Sequence, residues 1–278
     1  MNKKIGIIFA LVLVAFLVMG TASAGLFDFL GGNSTSTDAA GNDENTFIVG
    51  FDAEFPPYGY KDDSGNYVGF DLDLAKEVCE RNNWTFKAQP IDWDAKDAEL
   101  SSGNINCIWN GFTYTGREDQ YTWSEPYVDN SIVLVVKADS GISSLADLAG
   151  KTVMAQAGSS AVDAVADKEG FKDSLGGYIE LPDYNTGFME LQMGTVDAIA
   201  ADIGVATYQI SSNSGDYVIL DEPLSTEQYA IGFLLGNTEL RDAVNEQLLA
   251  IAEDGTMLKI AENYVDSGLV LEGLCLIK

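Results

Sequence analysis

Gly69-Phe70-Asp71-Leu72-Asp73-Leu74 opens the stretch that decides the fold, and this stretch continues to Asn82. Its apolar residues recur at the spacing of one helix face, and Asp71 stands where it can cap the helix N-terminus. The apolar run Phe47 to Phe51 precedes it and is typical of a buried strand, and a second strand is predicted after it, at Thr85 to Ile91. A strand, a helix and a second strand predict the first unit of an α/β protein.

The rest of the chain repeats this alternation of strands and helices. The apolar runs predict further strands at residues 105–109, 132–136, 152–155 and 198–201. Amphipathic spacing predicts helices at residues 142–151, 161–168, 187–193, 239–252 and 256–265. With 278 residues, the chain is long enough for two domains of ordinary size or for one large domain.

The charge of the chain excludes some partners. A formal net charge of −28 argues against binding to nucleic acid or to an anionic membrane, since both need clustered basic residues. The chain also contains no histidine, and it shows no metal-ligand cluster and no serine–base pair. The sequence therefore predicts no catalytic residue, no metal and no cofactor.

The N-terminus has the features of an export signal. Lys3 and Lys4 precede an apolar run from Ile5 to Met19, and Ala22-Ser23-Ala24 supplies the small residues that a signal peptidase recognises. Residues 1–24 are therefore expected to be a cleaved signal peptide or, if the apolar run extends to Leu26, a retained membrane anchor. Residues 25–45 are expected to form a flexible linker, because most of this segment is Gly, Ser, Thr, Asn and Asp. The protein is therefore predicted to be exported, extracellular or periplasmic.

The stretch Asn110 to Arg117 has the composition of an anion-binding loop. It follows the predicted strand Ile105 to Trp109 and contains glycine, two threonines and one arginine. Glycine lets a ligand approach the backbone, threonine hydroxyls donate hydrogen bonds, and a guanidinium holds a carboxylate through two parallel hydrogen bonds. The alternative is a surface turn that carries a solvated arginine.

The run Gly69 to Leu74, followed by Val78-Cys79 and Asn82, resembles the signature of the family 3 extracellular solute-binding proteins, the amino-acid receptors of ATP-driven importers. The similarity extends from about Thr46 to Val265. It implies an α/β protein of two lobes, each a central sheet flanked by helices, with the ligand held between them. The two hinge crossovers are expected near residues 127–133 and 225–229, with residues 46–129 and 228–278 in lobe one and 130–227 in lobe two.

The resemblance also implies a set of ligand-holding residues. Arg117 would hold an α-carboxylate, helped by Thr113, the Gly111 backbone and the amides near Ser159 and Ser160. Asp202 would take the α-ammonium, Phe55 and Trp93 would sandwich the ligand side chain, and Asp52 would face its far end. The complete predicted set is Asp52, Phe55, Trp93, Asn110, Gly111, Phe112, Thr113, Arg117, Gln156, Ser159, Ser160 and Asp202. The expected ligand is a free amino acid with a polar or basic side chain.

Structural alternatives remain open for several of these residues. Asp202 could cap the turn after its strand, and Trp93 could be a partly buried core residue. Phe55 stands in a proline-fixed aromatic loop that could simply cover the core. The segment Thr113 to Gly116, which precedes Arg117, is also one residue shorter than the corresponding segment is in most members of the family. Gln156 stands where some members carry a basic residue, which argues against an acidic ligand side chain.

The expected partners are the permease subunits of an ABC transporter, and the protein is expected to be a monomer. Two alternatives use the same scaffold. One is an exported enzyme similar to cyclohexadienyl dehydratases, with Glu54 as a general acid, and the other is a ligand-sensing domain. Among the three cysteines, Cys79 and Cys107 are expected to be buried free thiols, whereas Cys275 lies in a tail beyond the resemblance.

Overall fold

The computed structural model describes residues 45–212 and 216–277 of the chain. The predicted export segment, residues 1–24, and the predicted linker, residues 25–45 apart from Asn45, lie outside the described residues. No helix in either described range combines the length and the apolar character that a membrane span requires.

The described chain alternates strands and helices throughout. The strands are β1 Thr46–Phe51, β2 Glu54–Phe55, β3 Gly59–Lys61, β4 Tyr67–Val68, β5 Thr85–Pro90, β6 Cys107–Ile108, β7 Thr122–Trp123, β8 Val128–Lys137, β9 Thr152–Gln156, β10 Gly177–Leu181, β11 Ala198–Asp202, β12 Tyr217–Ile219, β13 Ser225–Tyr229 and β14 Gly232–Phe233. The α-helices are α1 Phe70–Arg81, α2 Lys96–Ser101, α3 Ser160–Asp167, α4 Phe171–Ser174, α5 Tyr184–Met193, α6 Ile203–Ser212, α7 Thr238–Glu253 and α8 Thr256–Glu262. Short 3-10 helices cover Trp93–Ala95, Leu145–Leu148, Val265–Ser267 and Leu271–Gly273.

The first sheet is mixed and has the strand order β5-β1-β6-β14-β7. The strand β1 pairs in parallel with β5 and β6, whereas β14 pairs antiparallel with β6 and β7. The helix α1 packs against this sheet through buried apolar residues such as Leu74 and Val78. Because β14 comes late in the chain, the first lobe is built from the beginning and the end of the described chain.

The second sheet has the strand order β10-β9-β11-β8-β12, and β13 also pairs with β8. The strands β9, β10 and β11 are parallel to one another, and β8 is antiparallel to β11. Residues 132–136 of β8 are buried on both faces because helices cover both sides of the sheet. This sheet and its helices α3, α5 and α6 form the second lobe.

The strands β8 and β13 pair with each other. Their antiparallel register places Tyr229 opposite Val128 and Ser225 opposite Ile132. These are the two segments in which the hinge crossovers are predicted, and paired extended strands can bend together without breaking a helix. The hinge and the lobe boundaries at residues 129/130 and 227/228 remain predictions.

Two local predictions are wrong. Asp71 does not cap α1, because Gly69 is the N-cap residue and the buried Asp71 side chain instead accepts a hydrogen bond from Gly111. The predicted helix at residues 142–151 is only a 3-10 turn, Leu145–Leu148, closed by a capping box between Ser144 and Asp147. Cys79 and Cys107 are buried free thiols, as predicted.

Candidate functional site

The loop that begins at Asn110 is fixed from below by two buried side chains. Asp71 Oδ2 accepts a hydrogen bond from the Gly111 N–H at 2.6 Å, across 40 residues of sequence. Asn110 Oδ1 accepts one from the Asp52 N–H at 3.0 Å, which ties the loop to the end of β1. The Gly111 N–H therefore donates to Asp71 in this structure, whereas the resemblance implies that the Gly111 backbone contacts the ligand.

Gly111 is required by its backbone angle and by its surroundings. Its φ is +53°, and a Cβ at this position would lie 2.6 Å from Cε1 of Phe55. The next residue, Phe112, is fully buried among Trp93, Tyr121 and Trp123, with ring centroids 4.9 to 5.6 Å away. Phe112 was predicted to contact the ligand, but its side chain supports the loop from behind.

Arg117 lies over this aromatic cluster with most of its hydrogen-bonding capacity free. Its guanidinium carbon is 5.6 Å from the centroid of the Phe112 ring. Its two polar contacts are long, because Thr113 O and Asp163 Oδ2 are each 3.5 Å from a guanidinium nitrogen. The side chain is only 12% exposed, whereas Asp163 is 68% exposed. Arg117 is thus a largely desolvated cation whose ion-pair partner among the described residues, Asp163, is exposed and 3.5 Å away.

Thr113 and Ser160 meet at the carboxylate of Glu227. The Thr113 hydroxyl donates to Glu227 Oε1 at 2.8 Å, and the Ser160 hydroxyl donates to the same oxygen at 3.1 Å. Thr113 belongs to lobe one, Ser160 is the first residue of α3 in lobe two, and Glu227 lies on β13. Burial, together with the nearby charge of Asp202, raises the pKa of Glu227 to about 7.

Asp202 ends β11 and is 3% exposed. Its Oδ1 accepts a hydrogen bond from Asn130 Nδ2 at 2.8 Å and another from the Tyr229 hydroxyl. Its Oδ2 lies 3.3 Å from the Tyr184 hydroxyl. Burial raises its pKa, and these donors oppose that rise. The side-chain partners come from three other elements, so the carboxylate is oriented by the lobe junction rather than by the turn that follows it.

Asp52 and Gln156 join the two lobes on another side of the site. Gln156 Nε2 donates to Asp52 Oδ2 at 2.6 Å and to Pro182 O at 3.0 Å. Burial raises the pKa of Asp52, while the bond from Gln156 opposes the rise. The Ser159 hydroxyl donates to the Gln156 carbonyl at 2.8 Å, so its hydrogen bond stabilises the loop in which Ser159 lies.

The two aromatic residues predicted to sandwich the ligand have different neighbours. Phe55 packs against Tyr58 and Tyr184, with ring centroids 5.8 and 6.0 Å away. Trp93 is 8% exposed and meets the Phe112 ring edge-on at 5.6 Å. Lys96 Nζ lies 5.3 Å from the Trp93 ring. Trp93 is therefore largely part of the lobe-one core.

Several polar contacts hold the two lobes together across the cleft. They are Asp52 with Gln156 at 2.6 Å, Glu54 with Asn185 at 2.9 Å, Lys96 with the Gly158 carbonyl at 2.9 Å, Thr113 with Ser160 at 3.1 Å and Arg117 with Asp163 at 3.5 Å. Contacts at this many places show that the structure is closed.

The predicted residues border two cavities. The first has a volume of about 490 Å³ and is lined by Trp93 and by six carboxylates, those of Asp52, Glu54, Asp92, Asp94, Glu99 and Asp183. No lysine or arginine is among the described residues that line it. The second cavity, of about 740 Å³, is lined by residues that include Arg117, Ser160 and Glu227. The structure thus brings most of the predicted residues to the lobe junction, where Asp52 and Trp93 line the first cavity and Arg117 lines the second.

Four residues that the sequence did not single out also lie at this junction: Asn130, Tyr184, Glu227 and Tyr229. A usable signal was present in Glu227 and Tyr229. They are two residues apart in a predicted crossover strand, so they point to the same face, and an acidic residue on a buried face is unusual. Asn130 and Tyr184 carry no such signal, because the residues around an isolated asparagine or tyrosine look the same in the sequence whether it lies at a site or on the surface.

Comparisons with known proteins match this chain to one family. The family model of the bacterial extracellular solute-binding proteins, family 3, matches residues 47–267. The L-cystine-binding protein TcyJ of Escherichia coli (strain K12) is 26% identical over 228 residues, covering 80% of this chain and 83% of that protein. The arginine-binding extracellular protein ArtP of Bacillus subtilis (strain 168) is 29% identical over 239 residues, covering 84% and 90%.

A solved structure extends the similarity to three dimensions. The substrate-binding protein of an ABC uptake transporter from Streptococcus pneumoniae, solved with bound histidine, superposes with a TM-score of 0.77 at 34% identity. The match covers 82% of this chain and 95% of that chain. The predicted two-lobed α/β fold is confirmed, and these relatives are binding proteins, which supports binding over catalysis. The chain belongs to the bacterial extracellular solute-binding proteins of family 3.

Proposed function

We propose that this protein captures a free amino acid with a polar or basic side chain between its lobes and delivers it to the permease subunits of an ABC importer. The relatives support the chemical class of the ligand, since those named above bind cystine, arginine or histidine. Delivery, an extracellular or periplasmic location and a monomeric state are parts of the same proposal.

The observation that carries the proposal is a short series of polar contacts between opposite charges. It starts at Arg117, which contacts the Thr113 carbonyl, and Thr113 bonds to Glu227. Asn130 then bonds to both Glu227 and Asp202. An α-amino acid carries its carboxylate and its ammonium on one carbon. A buried cation and a buried carboxylate joined by so few residues therefore suit both ends of such a ligand.

Lobe closure follows from this division of charges. Arg117 belongs to lobe one, and Asp202 belongs to lobe two. Each lobe alone can offer one end of the ligand a charge-assisted hydrogen bond, whereas the closed form offers both. The ligand therefore favours the closed form by the difference in its affinity for the two states.

The selectivity for a polar or basic side chain rests on the acidic cavity beside Asp52. Six carboxylates without a lysine or arginine give this cavity a negative potential that attracts a cationic or hydrogen-bond-donating group. An acidic side chain would be repelled. Gln156, which is already bonded to Asp52, cannot supply the positive charge that such a side chain would need.

The test is ligand-dependent thermal unfolding of the purified protein against the free amino acids. A ligand at 100 times its dissociation constant stabilises a protein by about 2.7 kcal/mol. Any amino acid that raises the melting temperature is then tested as its carboxyl amide. We expect the amide to lose most of the effect, because Arg117 would no longer meet a carboxylate. No response to any amino acid would refute the proposal.

Variants of Arg117 assign the carboxylate contact. We expect Arg117→Ala to abolish measurable binding and Arg117→Lys to weaken it strongly, since lysine keeps the charge but cannot make two parallel bonds. Arg81→Ala is the matched control, because Arg81 lies on α1 and pairs with Glu77 and Asp254, which are not residues of the site. Equal, small losses of affinity in all three variants would contradict the assignment.

A further inference from the structure

Two buried carboxylates share one hydrogen-bond donor at the lobe junction. Asn130 Nδ2 lies 2.8 Å from Asp202 Oδ1 and 2.8 Å from Glu227 Oε1. Asp202 is 3% exposed and Glu227 is 8% exposed. In the part of the chain that the structure describes, neither carboxylate forms an ion pair with a lysine or an arginine. Two adjacent, desolvated negative charges need a cation or a proton.

A second observation points to a missing donor at the same place. Asn130 Oδ1 belongs to the amide that holds both carboxylates, and it is a buried acceptor without a hydrogen-bond partner among the described residues. Asn130 as a whole is 4% exposed. A group that donates several hydrogen bonds and carries a positive charge would satisfy this oxygen and both carboxylates. A primary ammonium has both properties.

We propose that Glu227 is a second acceptor for the α-ammonium of the ligand, acting beside Asp202, and that it releases a proton to solvent when the ammonium arrives. This inference rests on the proposed function and extends it, because it assigns a role to a residue of the crossover strand β13. In the ligand-free site the proton on Glu227 relieves the repulsion from Asp202. In the bound site the ammonium replaces that proton, so charge is balanced in both states.

Groups around Glu227 allow this exchange at moderate pH. The raised pKa of Glu227, about 7, means that the ligand-free site holds this proton below neutral pH. Asp202 faces it from β11, while Tyr58, Tyr184 and Tyr229 surround the pair with pKa values well above 10 and stay neutral. The charged groups bordering the same cavities are Arg117, Asp129, Asp163, Asp167, Lys168 and Glu169.

Two consequences are specific to this role. Affinity for an amino acid should rise about tenfold from pH 6 to pH 8, because below about 7 the proton must leave Glu227 before the ammonium binds. Compounds that lack the α-ammonium should gain nothing from ionised Glu227. The residue would thus discriminate amino acids from the corresponding carboxylic acids.

The experiment measures binding by titration calorimetry at pH 6, 7 and 8, in two buffers of different ionisation enthalpy so that released protons are counted. The probes are L-arginine, L-histidine and L-cystine, with 5-guanidinopentanoic acid as the form of arginine that lacks its α-amine. The variants are Glu227→Gln and Glu227→Asp in the full chain. Glu246→Gln, on the exposed face of α7, is the matched control.

We expect Glu227→Gln to bind the responding amino acid at least tenfold more weakly at pH 8, with a smaller loss at pH 6. It should release fewer protons on binding and keep only the pH dependence that comes from Asp202. Glu227→Asp should recover part of the pH dependence, and Glu246→Gln should match the wild type. Binding of 5-guanidinopentanoic acid should not weaken in Glu227→Gln.

Three results would overturn the inference. An unchanged pH profile and proton release in a folded Glu227→Gln protein would show that Glu227 does not exchange a proton with the ammonium. Tighter amino-acid binding by this variant would show that Glu227 repels the ligand carboxylate instead. If the wild type binds an amino acid in either case, the proposed function survives, whereas no response of the wild type to any free amino acid in the thermal-unfolding screen would refute both.

Discussion

Replacing Asp71 with asparagine should remove a strong pH dependence from the stability of this protein. Asp71 is fully buried on α1, and burial raises its pKa to about 7 although Gly111 N–H donates to it. An exposed aspartate in the unfolded chain has a pKa of about 4. Between these values the folded protein binds more protons than the unfolded chain. The contribution of Asp71 to the free energy of unfolding should therefore be fully present below pH 4 and fall as the pH rises to about 7.

The size of the effect follows from these two pKa values. Each pH unit between them changes the free energy of unfolding by about 1.4 kcal/mol, which gives a total of about 4 kcal/mol. This is a large part of the 5 to 15 kcal/mol that stabilises ordinary domains. The variant asparagine oxygen can still accept from Gly111, so Asp71→Asn removes the ionisation while keeping the size of the side chain and this hydrogen bond.

The assay is urea unfolding of the wild type and of Asp71→Asn at pH values from 4 to 8. The free energy of unfolding of the wild type, minus that of the variant, should fall by about 4 kcal/mol across this range. Asp242→Asn, which removes an exposed carboxylate on α7, controls for the loss of one negative charge. Wild-type and Asp71→Asn curves that stay parallel across the range would refute the reasoning.

Two further substitutions test the geometry of the site. Gly111→Ala should lower both stability and ligand affinity, because its Cβ would lie 2.6 Å from Phe55 Cε1. Gly116→Ala is the control for the cost of the backbone angle alone, because Gly116 has a φ of +82° and open space around it. Equal losses for the two variants in thermal unfolding and titration calorimetry would contradict a specific clash at Gly111. Tyr229→Phe should weaken amino-acid binding about tenfold, because Asp202 loses one hydroxyl donor worth roughly 1 kcal/mol or more. Calorimetry should show a smaller loss for Tyr184→Phe, since that hydroxyl is 3.3 Å from Asp202, and the opposite ranking would count against this account.

Local patterns predicted the regular elements of the fold well. Apolar runs marked β1, β9 and β11 to within one or two residues, because buried strands in a sheet covered on both faces contain little except apolar residues. The prediction failed where a polar residue could serve more than one purpose. Asp71 has the right residue type and position for a helix cap. Only the folded chain shows that its carboxylate accepts a hydrogen bond from the Gly111 N–H instead.

The candidate site was predicted in part. Motif resemblance placed Arg117, Thr113, Ser160 and Asp202, and these residues do meet at the lobe junction, while their roles toward a ligand remain proposals. The same resemblance included Phe112, which lies in the aromatic core. Side-chain direction in an irregular loop depends on the packing around it, so residue type and order could not distinguish a residue that lines the cleft from one that supports the loop.

The sequence by itself determined the α/β alternation, the family signature and the types of charged groups available for a ligand. These features depend on residues close together in the chain, where spacing and backbone preference dominate. Only the tertiary structure decided that Asn130, Asp202 and Glu227 converge, because they come from β8, β11 and β13 and meet only when these strands pair. The electrostatics of the site follow from that convergence, since the pKa of a carboxylate is set by its burial and by the charges packed against it.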